Sequence, residues 1–137
     1  PGKNEKGKTK RKKKKQKKEE EEMRRSILCV DDNNVNLLIL RRYLSGAYRI
    51  LTVSSGVEAL SLLGKEEVDL VLMDIMMPEM DGYETTERIR KMSPSLPILY
   101  VSSKAEEPRG YECGGNGYIM KPVERKGILA KITEYIK

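Results

Sequence analysis

The chain has 137 residues, 38% hydrophobic and 35% charged, and a formal net charge of +6. That length suits one domain of ordinary size. It holds no apolar window of about 18 residues, and no apolar segment stands behind its basic start, so neither a membrane span nor a signal peptide is expected.

The charge is unevenly spread. Residues 1–25 carry 13 Lys+Arg against 5 Glu, and residues 26–137 carry 14 Lys+Arg against 16 Asp+Glu. The basic excess therefore belongs to a tail, and the body is mildly acidic. Histidine is absent, which removes imidazole as general base and as metal ligand. Cys29 lies in an apolar run and Cys113 in a Gly-rich loop, a spacing that makes neither a disulfide framework nor a metal cluster. Any metal site must be built from oxygen, which favours Mg²⁺ or a similar hard ion.

Residues 1–25 are low-complexity, with Lys12–Lys15 and Glu19–Glu22 as neighbouring blocks. Such a segment cannot bury a core and reads as a charged tail or linker. Glu20/Arg24 and Glu21/Arg25 have the favourable i,i+4 order, which predicts helix for part of it. A weak electrostatic contact with a polyanion or acidic membrane is the other reading. No aromatic residue interleaves with the lysines, and nucleic-acid binding by the folded domain is not expected.

Residues 26–137 form the predicted domain. Ser26–Val30 reads as a buried strand, followed by Asp31-Asp32-Asn33-Asn34 as the cap of a helix over 34–45. Tyr48–Val53 is the second strand, and Ser54-Ser55-Gly56 opens a helix that Gly64 ends. Asp69–Met73 is the third strand. Asp74 follows it, then Met77-Pro78 and Asp81-Gly82, then a helix over Tyr83–Met92. Pro97–Val101 is the fourth strand. Residues 104–113 read as a short, poor helix interrupted by Pro108, Gly117–Met120 as the fifth strand, and Val123–Ile136 as a closing amphipathic helix. Strand and helix alternate five times, which implies a parallel sheet with helices on both faces. Ligand crevices in such sheets lie at the carboxyl ends of the strands.

Those strand ends carry Asp31 and Asp32, then Asp74, Ser102 and Lys121. Converging carboxylates repel one another and are costly to desolvate unless a cation joins them. Lys121 supplies a point charge suited to a phosphoryl group, and Ser102 a hydroxyl donor. The set can hold a phosphoryl group on a carboxylate, with Asp74 as nucleophile. Taken singly, Asp31 or Asp32 reads as an N-cap, Ser102 as a loop serine, and Lys121 as an exposed lysine before a proline at the first turn of a helix.

With these residues in place, 26–137 resembles the receiver domain of two-component response regulators. Val30-Asp31-Asp32-Asn33 is similar to the family's acidic pair. Asp74 with Met77-Pro78, Met80 and Asp81-Gly82 is similar to its phosphoacceptor signature. Tyr118-Ile119-Met120-Lys121-Pro122 is similar to its aromatic-x-x-Lys-Pro segment. The resemblance implies an α/β, flavodoxin-like, doubly wound five-stranded sheet of order 2-1-3-4-5. It implies phosphorylation of Asp74 by a histidine kinase or histidine phosphotransfer protein. It further implies Mg²⁺ (or Mn²⁺) on Asp31, Asp32, Asp74 and the backbone carbonyl of Met76, with Asp31 acting mainly through a metal-bound water. Lys121 would pair with Asp74 and then with the phosphoryl oxygens. Ser102 and Tyr118 would act as switch residues read out through the fourth body helix, fifth strand and closing helix. Met76 and Lys104 would tune phosphoryl lifetime.

On this reading the domain is not an enzyme beyond self-phosphorylation and autodephosphorylation. It is expected to be cytoplasmic and a monomer or weak dimer. It stands alone or belongs to a larger hybrid sensor kinase, as the run from Val30 to Asn36 suggests, and its downstream partner is unknown. The alternative is a pseudo-receiver that acts as an interaction module without phosphorylation. A Mg²⁺-dependent phosphohydrolase is disfavoured, because Ile75-Met76 follows Asp74 where an Asp-x-Asp motif would be required. The segment from Ser102 to Lys121 is short for the family and rich in Gly, so its helix is expected to be truncated, displaced or mobile.

Overall fold

A computed structural model describes residues 2–136. Its elements in chain order are α1 (Gly2–Met23), β1 (Ser26–Val30), α2 (Asn34–Leu44), β2 (Arg49–Val53), α3 (Gly56–Leu63), β3 (Leu70–Asp74), α4 (Gly82–Met92), β4 (Ile98–Ser102), α5 (Pro108–Glu112), β5 (Gly117–Met120) and α6 (Arg125–Thr133). The five strands form one parallel sheet of order β2-β1-β3-β4-β5.

The strands are continuous apolar runs because both sheet faces are covered. Successive side chains still divide between the faces. Leu28, Val30, Val71, Met73, Ile98 and Tyr100 pack with residues of α3 and α4. Ile27, Cys29, Leu70, Leu72, Leu99 and Val101 pack on the other face with α2 and α6.

Four sequence expectations change. The third strand runs on to include Asp74, so this carboxylate is the last residue of the ladder and is paired in register with Val101. Pro108 opens α5 rather than interrupting it; proline suits a first turn, where its missing N–H has no intrahelical acceptor. The closing helix spans only Arg125–Thr133, and Pro122 stands ahead of it after a cis Lys121–Pro122 bond, not in its first turn. The cap of α2 is Asn33, whose side chain accepts from the backbone N–H groups of Val35 and Asn36. Asp31 and Asp32 are thereby released from capping.

The basic segment is helical over more of its length than the two i,i+4 pairs predict. Lys, Arg, Gln and Glu lose little rotamer freedom in a helix, which favours it locally. Residues 10–20 are all exposed. The body begins at Arg24 and Arg25. Arg24 donates to the Ser45 carbonyl, and Arg25 pairs with Asp69 at 3.1 Å. Asp69 also accepts from the Ser26 N–H at 2.7 Å, which ties the starts of β1 and β3.

Candidate functional site

The carboxyl ends of β1, β3, β4 and β5 open into a cavity of about 360 Å³. Asp31 sits just past β1 and is 3% exposed. Its Oδ1 accepts from the Asn33 N–H at 2.9 Å and its Oδ2 from Asn36 Nδ2 at 3.1 Å. The first turn of α2 thus fixes the Asp31 carboxylate, and Asn36 is a supporting residue that the periodicity alone did not single out. Asp32 is exposed beside it.

Asp74 ends β3 with 8% exposure. The segment from Ile75 to Gly82 keeps the chain close to that strand end. Pro78, Glu79 and Met80 form a tight turn closed by Met80 N–H to Pro78 O at 2.8 Å, with Glu79 at φ 69. The Gly82 N–H then returns to the Ile75 carbonyl at 2.8 Å. Asp81 caps α4 by accepting from the Glu84 N–H at 2.8 Å. A Cβ on Gly82 would overlap the Asp74 carbonyl oxygen. The Asp81-Gly82 pair therefore does two jobs, capping α4 and allowing it to press against the strand end. The close approach of α4 to the strand end is the part that the sequence did not signal.

Lys121 Nζ lies 3.3 Å from Asp74 Oδ1 and 3.8 Å from Asp31 Oδ2. Its backbone N–H donates to the Ser102 carbonyl at 2.8 Å, so β4 carries the lysine to the site. Ser102 is buried, and its Oγ accepts from the Lys104 N–H at 3.0 Å. Lys104 and Met76 are exposed at the cavity margin. Asp31, Asp32 and Asp74 each offer a carboxylate oxygen within 4.8 Å of the others. Burial pushes the Asp74 carboxyl up from its ordinary 3.8 to about 6, helped by the negative charges of Asp31 and Asp32 and opposed by Lys121. Three oxygen donors at this spacing, with one ammonium for relief, fit a hard divalent cation.

Tyr118 points inward. Its hydroxyl donates to the Glu107 carbonyl at 2.8 Å and lies 3.1 Å from the buried Tyr83 hydroxyl. Tyr100 packs between them, with ring centroids 5.2 Å from Tyr83 and 5.1 Å from Tyr118. Tyr83, Tyr100, Glu107 and Arg109 all belong to this region and were not picked out from the sequence. Burial pushes the Cys29 thiol up to about 12, and burial with the Glu87 carboxylate pushes Cys113 up to about 11, which favours the protonated thiol at both.

A five-stranded parallel sheet of order 2-1-3-4-5, with an acidic cluster and a lysine at its carboxyl edge, defines a receiver-type domain. The response regulator receiver domain family matches residues 27–133, and the chain belongs to that family. It is 39% identical over 113 residues to the sensor histidine kinase RcsC of Escherichia coli, a match covering 80% of this chain and 12% of that protein. The chain therefore spans about an eighth of that relative's length. In structure it is similar to the chemotaxis protein CheY4 of Vibrio cholerae, with a TM-score of 0.80 at 26% identity over 82% of this chain and 99% of that one. It is also similar to the receiver domain of the sensor histidine kinase PA1611 of Pseudomonas aeruginosa, with a TM-score of 0.76 at 28% identity over 82% and 98% of the two chains. That receiver has a magnesium ion coordinated in its active-site cleft. Among the described residues, no helix is long and apolar enough to cross a membrane.

Proposed function

We propose that the domain is a phosphoryl-accepting signalling switch, with Asp74 as the acceptor. The observation that carries this reading is one buried carboxylate at a strand end, 3.3 Å from an ammonium and within 4.8 Å of two more carboxylates. A structural salt bridge needs no such crowding of like charges, and crowding of this kind raises the energy of the resting site.

An Asp74 carboxylate oxygen forms the bond to phosphorus as the donor's P–N bond breaks. The electron pair leaves with the donor imidazole, which takes up a proton. Lys121 holds Asp74 before transfer and the phosphoryl oxygens afterwards, and the Ser102 hydroxyl donates to them. Asp31, Asp32, Asp74 and the backbone carbonyl of Met76 would hold Mg²⁺ or Mn²⁺, which when bound offsets the negative charge of carboxylates and phosphoryl group. Met76 and Lys104 stand at the margin where water enters, so they set the lifetime of the acyl phosphate.

The donor in this reading is a histidine kinase or histidine phosphotransfer protein in the cytoplasm. The exposed apolar residues Val35, Leu38 and Ile39 of α2, beside the cavity, suit its docking. Readout runs through Ser102 and Tyr118 to α5, β5 and α6. Residues 1–25 act as a linker.

The test is incubation with Mg²⁺ and acetyl phosphate, followed by intact-mass measurement. One phosphoryl group on the wild-type chain and none on Asp74→Asn supports the reading. Equal labelling of the two chains refutes it. No labelling of either points to the phosphorylation-independent interaction module.

A further inference from the structure

One wall of the Asp74 cavity has no part in the phosphoryl transfer as written above. Glu107 and Arg109 supply it, and they line the same space as Asp74 and Lys121. Arg109 is anchored over this space. Its guanidinium carbon lies 5.0 Å from the centroid of the Tyr83 ring, within the range of a cation–π contact. Tyr83 is itself buried and fixed by the Tyr118 hydroxyl at 3.1 Å.

The backbone on both sides of Arg109 is also held. Tyr118 donates to the Glu107 carbonyl at 2.8 Å, and Tyr100 donates to the Gly110 carbonyl at 2.9 Å. Gly110 is required for this approach, because a Cβ there would overlap the Tyr118 hydroxyl. A helix of only five residues is thereby pinned by Tyr118 and Tyr100, while Tyr83 seats its arginine.

Charge gives this placement a purpose. Asp31, Asp32, Asp74, Asp81 and Glu107 face the cavity, against the cations of Lys104, Arg109 and Lys121. Lys121 is engaged by Asp31 and Asp74. Arg109 takes part in none of the ion pairs formed among the described residues. A phosphodonor is an anion entering an acidic cavity, and a planar guanidinium fork matches phosphoryl oxygens better than an ammonium does.

We propose that Arg109 is a second phosphoryl-binding cation of this site, one that contacts oxygens of the incoming donor and then of the aspartyl phosphate from the α5 wall. This rests on the phosphoryl-accepting reading of Asp74. The plain alternative is an arginine that only packs on Tyr83 beside Cys113. Removing its charge would then alter stability and leave the reaction alone.

The experiment follows phosphorylation of the full chain by acetyl phosphate with Mg²⁺, by intact mass over time, in wild type, Arg109→Met and Arg109→Lys. In this reaction the donor's P–O bond breaks and acetate leaves with its electron pair. Methionine keeps an apolar stem on Tyr83 and removes the charge. The Met variant is expected to react roughly three- to tenfold more slowly, with a melting temperature lowered by no more than loss of one cation–π contact implies. The Lys variant should fall between the two, and added salt should narrow the gap. A Met variant within about twofold of wild type, or slowed only in step with lost thermal stability, overturns the role of Arg109 alone. A wild-type chain that gains no phosphoryl group overturns the acceptor reading and this proposal with it.

Discussion

Replacing Asp74 with Asn should stabilise the metal-free domain at neutral pH, although it removes an ion pair. The fold holds the Asp74 carboxyl at about 6, against 3.8 in an unperturbed chain. A gap of that size corresponds to about 3 kcal/mol between the two protonation states. The folded carboxyl is the one that keeps its proton longer, so between pH 4 and 6 the native state binds more protons than the unfolded state. Stability therefore falls as pH rises through this window, and the penalty is fully present above about pH 6. The cavity is open to solvent on one side, which screens part of this, so a gain of about 1–2 kcal/mol is the fair expectation for Asp74→Asn at pH 7.5.

The assay is urea unfolding of both chains at pH 7.5 and pH 4, with a chelator present. Asn should raise the midpoint at pH 7.5, and the two chains should converge at pH 4, where Asp74 is protonated in the folded state. Adding Mg²⁺ at pH 7.5 should then shift wild type upward more than Asp74→Asn. A ligand at ten times its dissociation constant contributes about 1.4 kcal/mol, enough to close the gap. A variant less stable than wild type at pH 7.5 without metal would refute the reasoning. So would a gain of equal size at pH 4, since that would place its origin in packing rather than charge.

Gly82→Ala should cost about 2 kcal/mol or more, because its Cβ would overlap the Asp74 carbonyl oxygen and the backbone at Ile75. The same variant should accept phosphoryl groups more slowly, since Asp74 itself must shift; thermal unfolding and labelling by acetyl phosphate measure the two effects. Tyr118→Phe removes a hydroxyl shared by the Glu107 carbonyl and Tyr83. It should cost about 1–2 kcal/mol, and hydrogen exchange should quicken across 107–113 while β1 and β3 keep their protection.

Much of this architecture was legible because each strand is a short apolar run stopped by turn residues, and because strand–helix alternation permits few topologies. The acceptor set was legible for a related reason: Asp74, Ser102 and Lys121 each follow or end an apolar run, where a polar side chain has no packing role. Other features depend on which of two equal local choices tertiary structure selects. Asp31, Asp32 and Asn33 can all cap a helix, and only the direction of chain exit from β1 gives the cap to Asn33. Pro108 stops one helix as readily as it opens another. The need for glycine at 82 and 110 comes from close approaches between neighbouring elements, and the seating of Arg109 on Tyr83 from segments 26 residues apart; no local pattern encodes either.

We propose that the cost of the site and the grip on α5 are coupled. Asp74 is held in a state that its surroundings penalise, and a divalent cation on the three carboxylates would offset that penalty. At the β4 end the Ser102 hydroxyl accepts from the Lys104 N–H, and the Ser102 carbonyl accepts from the Lys121 N–H. One step away, α5 is held through the Tyr118 and Tyr100 hydroxyls to its carbonyls. Each such bond contributes only about 1 kcal/mol, which is less than the penalty at Asp74. We propose that phosphorylation of Asp74 unseats Tyr118 and, with it, a helix too short to persist unaided; hydrogen exchange across 107–113 before and after labelling by acetyl phosphate tests it. A helix of five residues would suit such a reporter, since little of its own structure has to be broken for the signal to register.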